Sequence, residues 1–249
     1  MSASISVIVP AYRCERTVEQ SVRSALNQTV RDLEVIVIDD ASDDGTAEIL
    51  ARLQTEDARV RVITLSENGG VANARNRGAS EARAQWLAFL DSDDLWEADK
   101  LERQLAAAAQ ARAALVYTAA ECIDETGAPT GKRFHVPETV TAKSLLKGND
   151  LITSTVLLER DLFLRHPMER SDLHEDLISW YGVLNEGITA VGIDAPLVRY
   201  RVSHGSKSGN KRKSAAMTWN TYRYLGVGFF KRIACFFAYA LHGIKRYWL

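Results

Sequence analysis

Trp86-Leu87-Ala88-Phe89-Leu90-Asp91-Ser92-Asp93-Asp94 is an apolar run of strand character that ends in three carboxylates within four residues. The run reads as a strand buried on both faces, and the aspartates fall where it leaves the core. In an open α/β sheet, ligands bind beyond the carboxyl ends of the strands. Carboxylates crowded there repel one another unless a cation compensates them. An Asp-x-Asp arrangement suits Mg2+ or Mn2+, which take oxygen ligands and bring phosphates with them. Taken alone, the same residues also fit a solvated acidic turn capping the next helix.

Three strand–helix units precede this stretch. Ile5-Ser6-Val7-Ile8-Val9-Pro10 reads as a buried strand stopped by proline, followed by Tyr12 and Arg13. Val18, Val22, Ala25 and Leu26 then share one helical face within 15–28. A β-branched run over 33–38 ends in Asp39-Asp40-Ala41-Ser42-Asp43-Asp44-Gly45-Thr46 and passes into a helix. Helix capping explains one of these four aspartates well and the set poorly. A third strand over 60–65 leads through Glu67-Asn68-Gly69-Gly70 into a helix over 71–84 that carries Arg75 and Asn76. The order βαβαβαβ predicts a mainly parallel, doubly wound α/β sheet with helices on both faces. Beyond it, the pattern predicts a helix over 101–112, a strand over 115–119, a turn at Thr126-Gly127 and a strand over 154–158. A helix over 175–185 and short strands over 188–191 and 197–200 follow.

The 249 residues suit one large domain or a domain with an appendage, and the composition is that of a soluble globular protein. The formal net charge of −1 hides a division. Eleven Lys/Arg and no Asp/Glu lie between Arg199 and Leu249, which leaves 20 basic against 32 acidic residues before them. Such asymmetry points to a basic face with an anionic partner. Cys14, Cys122 and Cys235 fit no metal-ligand spacing, and the N-terminus lacks a basic leader, so a reduced cytoplasmic setting is expected. The tail over 213–249 is aromatic and basic, with an apolar stretch shorter than the roughly 20 residues that span a bilayer. It fits amphipathic helices lying on an anionic membrane, and equally a helix packed on the protein's own core.

Val7-Ile8-Val9-Pro10-Ala11-Tyr12, Gln28-Thr29, the Asp39–Thr46 loop, Asn68-Gly69-Gly70 with Ala74-Arg75-Asn76-Arg77-Gly78, and Phe89-Leu90-Asp91-Ser92-Asp93-Asp94 together resemble family 2 glycosyltransferases. Glu175-Asp176 followed by Trp180 is similar to the family's Glu-Asp element, and the match spans most of 4–201. The stretch from Tyr200 to Lys211 looks like that of bacterial members that build surface polysaccharides. The resemblance implies a GT-A fold over 1–212, with a nucleotide-sugar-binding half (1–119) merged with an acceptor-binding half (120–212). It implies inverting transfer from a nucleotide-diphosphate sugar, most often a UDP-sugar, to a glycan or lipid-linked acceptor. Carried over by position, Pro10, Ala11 and Tyr12 would line the nucleoside pocket, with Asp40 on uracil N3–H and Asp39 supporting its loop. Asn68, Asp91 and Ser92 would complete the donor site, and Asp93, with Asp91 and Asp94, would hold Mn2+ or Mg2+. Asp176, with Glu175 second, would be the general base, although two acids also suit the first turn of any helix. Arg201, His204 and Lys207 would close over the diphosphate, and Arg75 would anchor the aspartate loops.

Other readings fit less well. Pro10-Ala11-Tyr12-Arg13 stands where a dinucleotide dehydrogenase carries Gly-x-Gly-x-x-Gly and a nucleotide-sugar pyrophosphorylase a glycine-rich loop. A phosphoacceptor receiver domain leaves the second half of the chain without a role. A non-catalytic nucleotide-sugar-binding protein of the same fold is the remaining alternative. No nucleic-acid partner is indicated.

Overall fold

The computed structural model describes residues 4–202 and 211–248. The first half runs β1 (Ile5–Ala11), α1 (Val18–Leu26), β2 (Leu33–Asp39), α2 (Thr46–Glu56), β3 (Val60–Thr64), α3 (Val71–Glu81), β4 (Trp86–Phe89), β5 (Leu95–Trp96) and α4 (Lys100–Ala111). It continues through β6 (Leu115–Ile123), β7 (Pro129–Phe134), β8 (Thr139–Val140), α5 (Ala142–Leu145), β9 (Leu157–Glu159), α6 (Arg160–Arg165), α7 (Glu175–Asn185) and β10 (Ala190–Arg201). Two helices close the chain, α8 (Lys211–Tyr224) and α9 (Phe229–Trp248).

Every residue of β1 is buried, as a central parallel strand requires. Successive side chains of the strands leave to opposite faces. Val7, Val9, Val35 and Val37 join α1 and α2 in one core, through Val18, Val22, Leu50 and Leu53. Ile8, Ile36, Ile38 and Phe89 join α3 and α7 in the other, through Ala74, Leu177 and Trp180. Phe89 lies 4.8 Å from Phe163 and 6.0 Å from Trp180, ring to ring. Gly78 lets α3 approach the sheet, because a Cβ there would stand 2.5 Å from Ile8 Cγ2.

One sheet runs in the order β3-β2-β1-β4-β9-β6-β10-β5. β1 pairs in parallel with both β2 and β4, so the chain reverses its direction of travel between them. That reversal is the topological switch point where such folds bind ligands. β9 is antiparallel to β4 and β6 and joins the two halves into one sheet.

The second half departs from the sequence pattern in two places. The two short strands expected over 188–200 form the single strand β10, parallel to β6, with register shifts on both sides of Pro196. The missing N–H of proline is absorbed there by the irregularity instead of ending the strand. The segment over 154–158 begins as a 3-10 turn, Thr153–Thr155, and only then becomes β9. The tail is helical, as the sequence pattern predicts, and divides into α8 and α9 at Gly226, whose φ of 69° is a left-handed value that glycine adopts without steric strain.

Candidate active site

The site is assembled from loops at the carboxyl ends of β1, β2 and β4, and from the start of α7. The β1 and β2 loops are laced together. The Arg13 guanidinium donates to both Asp43 oxygens at 2.6 and 2.7 Å, Arg13 N–H donates to Ser42 Oγ, and Gly45 N–H donates to Glu15. Arg13 and Ala41 both hold left-handed backbone, φ 47° and 58°, one on each loop. Non-glycine residues in that region are concentrated at functional sites. Tyr12 stands exposed at the mouth, with the Arg13 guanidinium 5.1 Å from its ring centre. Pro10 and Ala11 are buried in β1, and Ala11 C=O accepts from Asp40 N–H at 2.8 Å.

Asp39 and Asp40 are both buried. Asp39 Oδ1 accepts from Ser42 N–H at 3.1 Å, while its Oδ2 meets no donor among the described residues. The two Asp40 oxygens accept from Gly69 and Gly70 N–H, each at 2.8 Å, and Asn68 Nδ2 donates to Asp40 C=O. Gly70 reaches this position with φ 83°, open to glycine and strained for other residues. Asp40 thus fastens the Asn-Gly-Gly turn to the end of β2. Each of its oxygens keeps a second lone pair for a ligand.

The three aspartates after β4 have separate environments. Asp91 accepts from Arg75 Nη2 at 2.5 Å, and its N–H donates to Ser154 Oγ. Burial, and then the charge of Asp91, push the Asp93 carboxyl up to about 6. Asp94 is fully enclosed. Its Oδ1 accepts from Arg201 N–H at 2.9 Å, and burial followed by Asp93 and Asp91 raises its pKa well above the carboxylate range. Burial raises the pKa of the Cys14 thiol, and nearby Ser92 and Thr46 oppose the rise, which sets this turn beside the β1 loop. Among the described residues no three His, Cys, Asp or Glu side chains converge into a metal cage. Crowded carboxylates whose protonation is favoured by their mutual charge form a donor set that a hard divalent cation would relieve.

Arg201, expected at the diphosphate, is placed on backbone carbonyls. Its Nε donates to Asp93 C=O at 2.8 Å and its Nη1 to Asp124 and Glu125 C=O, each at 3.0 Å. It clamps the aspartate turn to the hairpin between β6 and β7. His204 and Lys207 lie outside the described residues.

Arg75 links α3 to the segment before α7, its Nη1 3.6 Å from Met168 Sδ. It is buried on α3 and pairs with Asp91, and Glu175 and Asp176 at the start of α7 add to the field around it. Burial alone would lower its pKa, but these acids carry it above its ordinary value. Its neighbour Asn76 clasps the segment before α7, donating to Met168 C=O at 2.7 Å and accepting from Met168 N–H at 2.9 Å.

Glu175 is buried and Asp176 half-buried. Asp176 Oδ2 accepts from Asn149 Nδ2 at 3.1 Å, and its Oδ1 accepts from Leu177 N–H at 2.8 Å. Asn149 Oδ1 accepts from Leu151 N–H, which turns the amide so that Nδ2 faces Asp176. Nothing in the sequence pattern signalled Asn149, because it sits in an irregular segment without periodicity. At the other edge, His174 N–H donates to Thr221 Oγ1, and His174 Nε2 lies 3.1 Å from Thr218 Oγ1. Helix α8 is therefore part of the wall beside these two acids.

A carboxylate cluster at a nucleotide-type switch point, with a half-exposed carboxylate at the start of α7 in the field of the same arginine, suits transfer of a group from a phosphorylated donor to a second substrate. The comparisons agree. The sequence profile of glycosyl transferase family 2 matches residues 6–163. TuaG of Bacillus subtilis, a glycosyltransferase assigned to teichuronic acid biosynthesis, is 37% identical over 97% of this chain and 96% of its own. The UDP-Glc:alpha-D-GlcNAc-diphosphoundecaprenol beta-1,3-glucosyltransferase WfaP of Escherichia coli is 32% identical over 98% of this chain and 95% of its own. Among solved structures, S. aureus TarS 1-349 in complex with UDP-GlcNAc superposes with a TM-score of 0.74 at 19% identity, covering 97% of this chain and 72% of that one. The mannosyltransferase PcManGT from Pyrobaculum calidifontis, in complex with GDP-Man and Mn2+, gives 0.71 at 18% identity over 96% and 69%. These structures share the GT-A fold, and the profile and the relatives together establish that the chain belongs to glycosyl transferase family 2.

Proposed function

We propose that the protein transfers a sugar, with inversion, from a UDP-sugar to a hydroxyl of a lipid-diphosphate-linked glycan at the cytoplasmic face of a bacterial membrane, in surface-polysaccharide assembly. The observation that carries this reading is Arg75, paired with Asp91 of the donor edge and lying in the electrostatic field of Glu175 and Asp176. Residues 1–119 bind the donor, 120–212 the acceptor, and 213–249 form the basic helical tail. The relatives named above include an enzyme whose name specifies UDP-Glc and a diphosphoundecaprenol-linked acceptor, which supports this choice of substrates.

Asp176 accepts the proton of the acceptor hydroxyl as that oxygen attacks the sugar C1. The new C1–O bond forms opposite the bond to phosphate, which breaks with its electron pair onto the diphosphate. One base is enough for such an inversion. Asn149, donating to Asp176, fixes the direction of its carboxylate. Asp93 and Asp91 would hold Mg2+ or Mn2+, which when bound offsets charge on the departing diphosphate. Asp94 serves the turn instead, through Arg201 N–H. Tyr12 offers a face for the base, and the unpartnered Asp39 Oδ2 and the remaining lone pairs of Asp40 lie at the same loop.

Calorimetric titration of UDP, GDP, CMP and TDP, with and without Mn2+, tests the donor site in the wild type, Asp93→Ala and Asp176→Asn. UDP binding that needs Mn2+ and is lost only in Asp93→Ala, with UDP-sugar turnover lost in Asp176→Asn, is the expected pattern. Preference for another nucleotide overturns the UDP assignment. Turnover that survives in Asp176→Asn overturns the base assignment, and UDP binding without any turnover in the wild type returns the protein to the non-catalytic reading.

A further inference from the structure

Helix α9 has two unlike faces. On the inner face Cys235 is buried, Phe236 and Tyr239 pack on the main core, and Trp219 of α8 meets Phe236 edge-on at 5.7 Å. His242 Nε2 lies 3.0 Å from Asp150 Oδ1, and its ring fills the space that a Cβ at Gly148 would need. Tyr222 of α8 is fully buried and donates to Leu146 C=O. The helix is thus fixed to the body.

The outer face is apolar and uncovered. Phe230 is 86%, Phe237 64%, Leu241 67% and Ile244 54% exposed. Their spacing of seven, four and three residues draws one stripe along a helix of 20 residues, about 30 Å in length. No helix among the described residues is long and apolar enough to cross a membrane. Two occupants could cover the stripe: a second copy or a lipid surface. Charge decides between them. Lys231 is exposed beside Phe230, and the sequence from Lys211 to Leu249 holds no Asp or Glu. Lys143 and Lys147 stand exposed on α5 and the turn leading to Gly148, against which His242 packs. Two such surfaces facing each other repel, whereas an anionic bilayer attracts them.

We propose that α9 lies in the plane of an anionic lipid bilayer, with Phe230, Phe237, Leu241 and Ile244 among the acyl chains and Lys231 at the headgroups. Its inner face holds the Leu146–Asp150 turn that presents Asn149 to Asp176, so docking sets the acceptor side of the molecule at the membrane surface. The siting of the acceptor side rests on the transferase reading, while docking itself is read without sugar transfer, so the two fail separately.

The test is co-sedimentation of the full chain with vesicles of phosphatidylcholine alone and of phosphatidylcholine with phosphatidylglycerol. The wild type should partition at least about tenfold more strongly into the anionic vesicles and weaken with added salt. The variant Phe230→Ser/Phe237→Ser/Leu241→Ser should lose about a hundredfold of that partitioning, with unchanged circular dichroism and melting. Lys231→Glu, a second variant that leaves the stripe intact, should weaken binding to anionic vesicles only. Wild type that stays in the supernatant with anionic vesicles overturns the proposal. So does a folded triple variant that binds as the wild type does. So does light scattering showing a dimer that the triple variant dissolves while vesicle binding is absent from both proteins.

Discussion

Removing Arg75 should unbalance the charges of the site. In Arg75→Met the apolar stem is kept and the guanidinium lost. Two unit charges about 4 Å apart interact by about 4 kcal/mol at an effective dielectric of 20. The Asp91 side chain is 27% exposed against 6% for Arg75, so water screens the pair from one side, and about 2–3 kcal/mol is the coupling to expect. The single variant should lose about 3–5 kcal/mol, because Asp91, Glu175 and Asp176 then share a site without their cation. Asp91→Asn alone should cost less, since Arg75 keeps the field of the two α7 acids. The assay is urea unfolding of wild type, both single variants and the double variant at pH 7.5, followed by tryptophan fluorescence. Coupling appears as a double variant more stable than the sum of the single losses, with the urea dependence unchanged. Additivity within about 0.5 kcal/mol would refute the Arg75–Asp91 pair as a coupled element of the site.

Three further outcomes follow from other contacts. Asn149→Ala should lower kcat by about 10- to 100-fold with KM nearly unchanged, because Asp176 loses the donor that orients it; Asn149→Ser should recover part of it. Lys100 is fully enclosed, 3.9 Å from the Trp96 ring and bonded through Nζ to Gln104 Oε1, and burial holds its pKa well below 10.5. The unfolded chain therefore binds a proton that the folded chain lacks, so stability should rise between the depressed pKa and 10.5, by up to about 1.4 kcal/mol per pH unit. Melting curves across that range should show the rise in wild type and not in Lys100→Met. Tyr222→Phe leaves Leu146 C=O without its side-chain donor and should cost about 1–2 kcal/mol in chemical denaturation.

What the sequence makes legible here is what periodicity and local chemistry can express. Val7, Val9, Val35 and Val37 are apolar because both faces of the sheet are covered, and the aspartates that end those runs mark the loops at the switch point. Partners far away in the chain leave no such mark. Asp94 reads as a third metal ligand beside Asp93, yet its carboxylate accepts from Arg201 N–H, 107 positions on, and Arg201 reads as a phosphate ligand while its guanidinium rests on three backbone carbonyls. A backbone carbonyl carries no residue identity, so a clamp of this kind has no motif. β10 shows the same limit from the other side: Pro196 is a sound local reason to end a strand, and the register shifts that accommodate it depend on β6. The tail could be assigned to the core or to a membrane with equal force because it holds two answers at once. Tyr222 and Cys235 are buried while Phe230 and Leu241 are uncovered, so the residues that pack the helix and those that leave it apolar outside interleave within one basic, aromatic sequence. Only the fold separates them, by deciding which side of α9 meets Gly148 and Asp150.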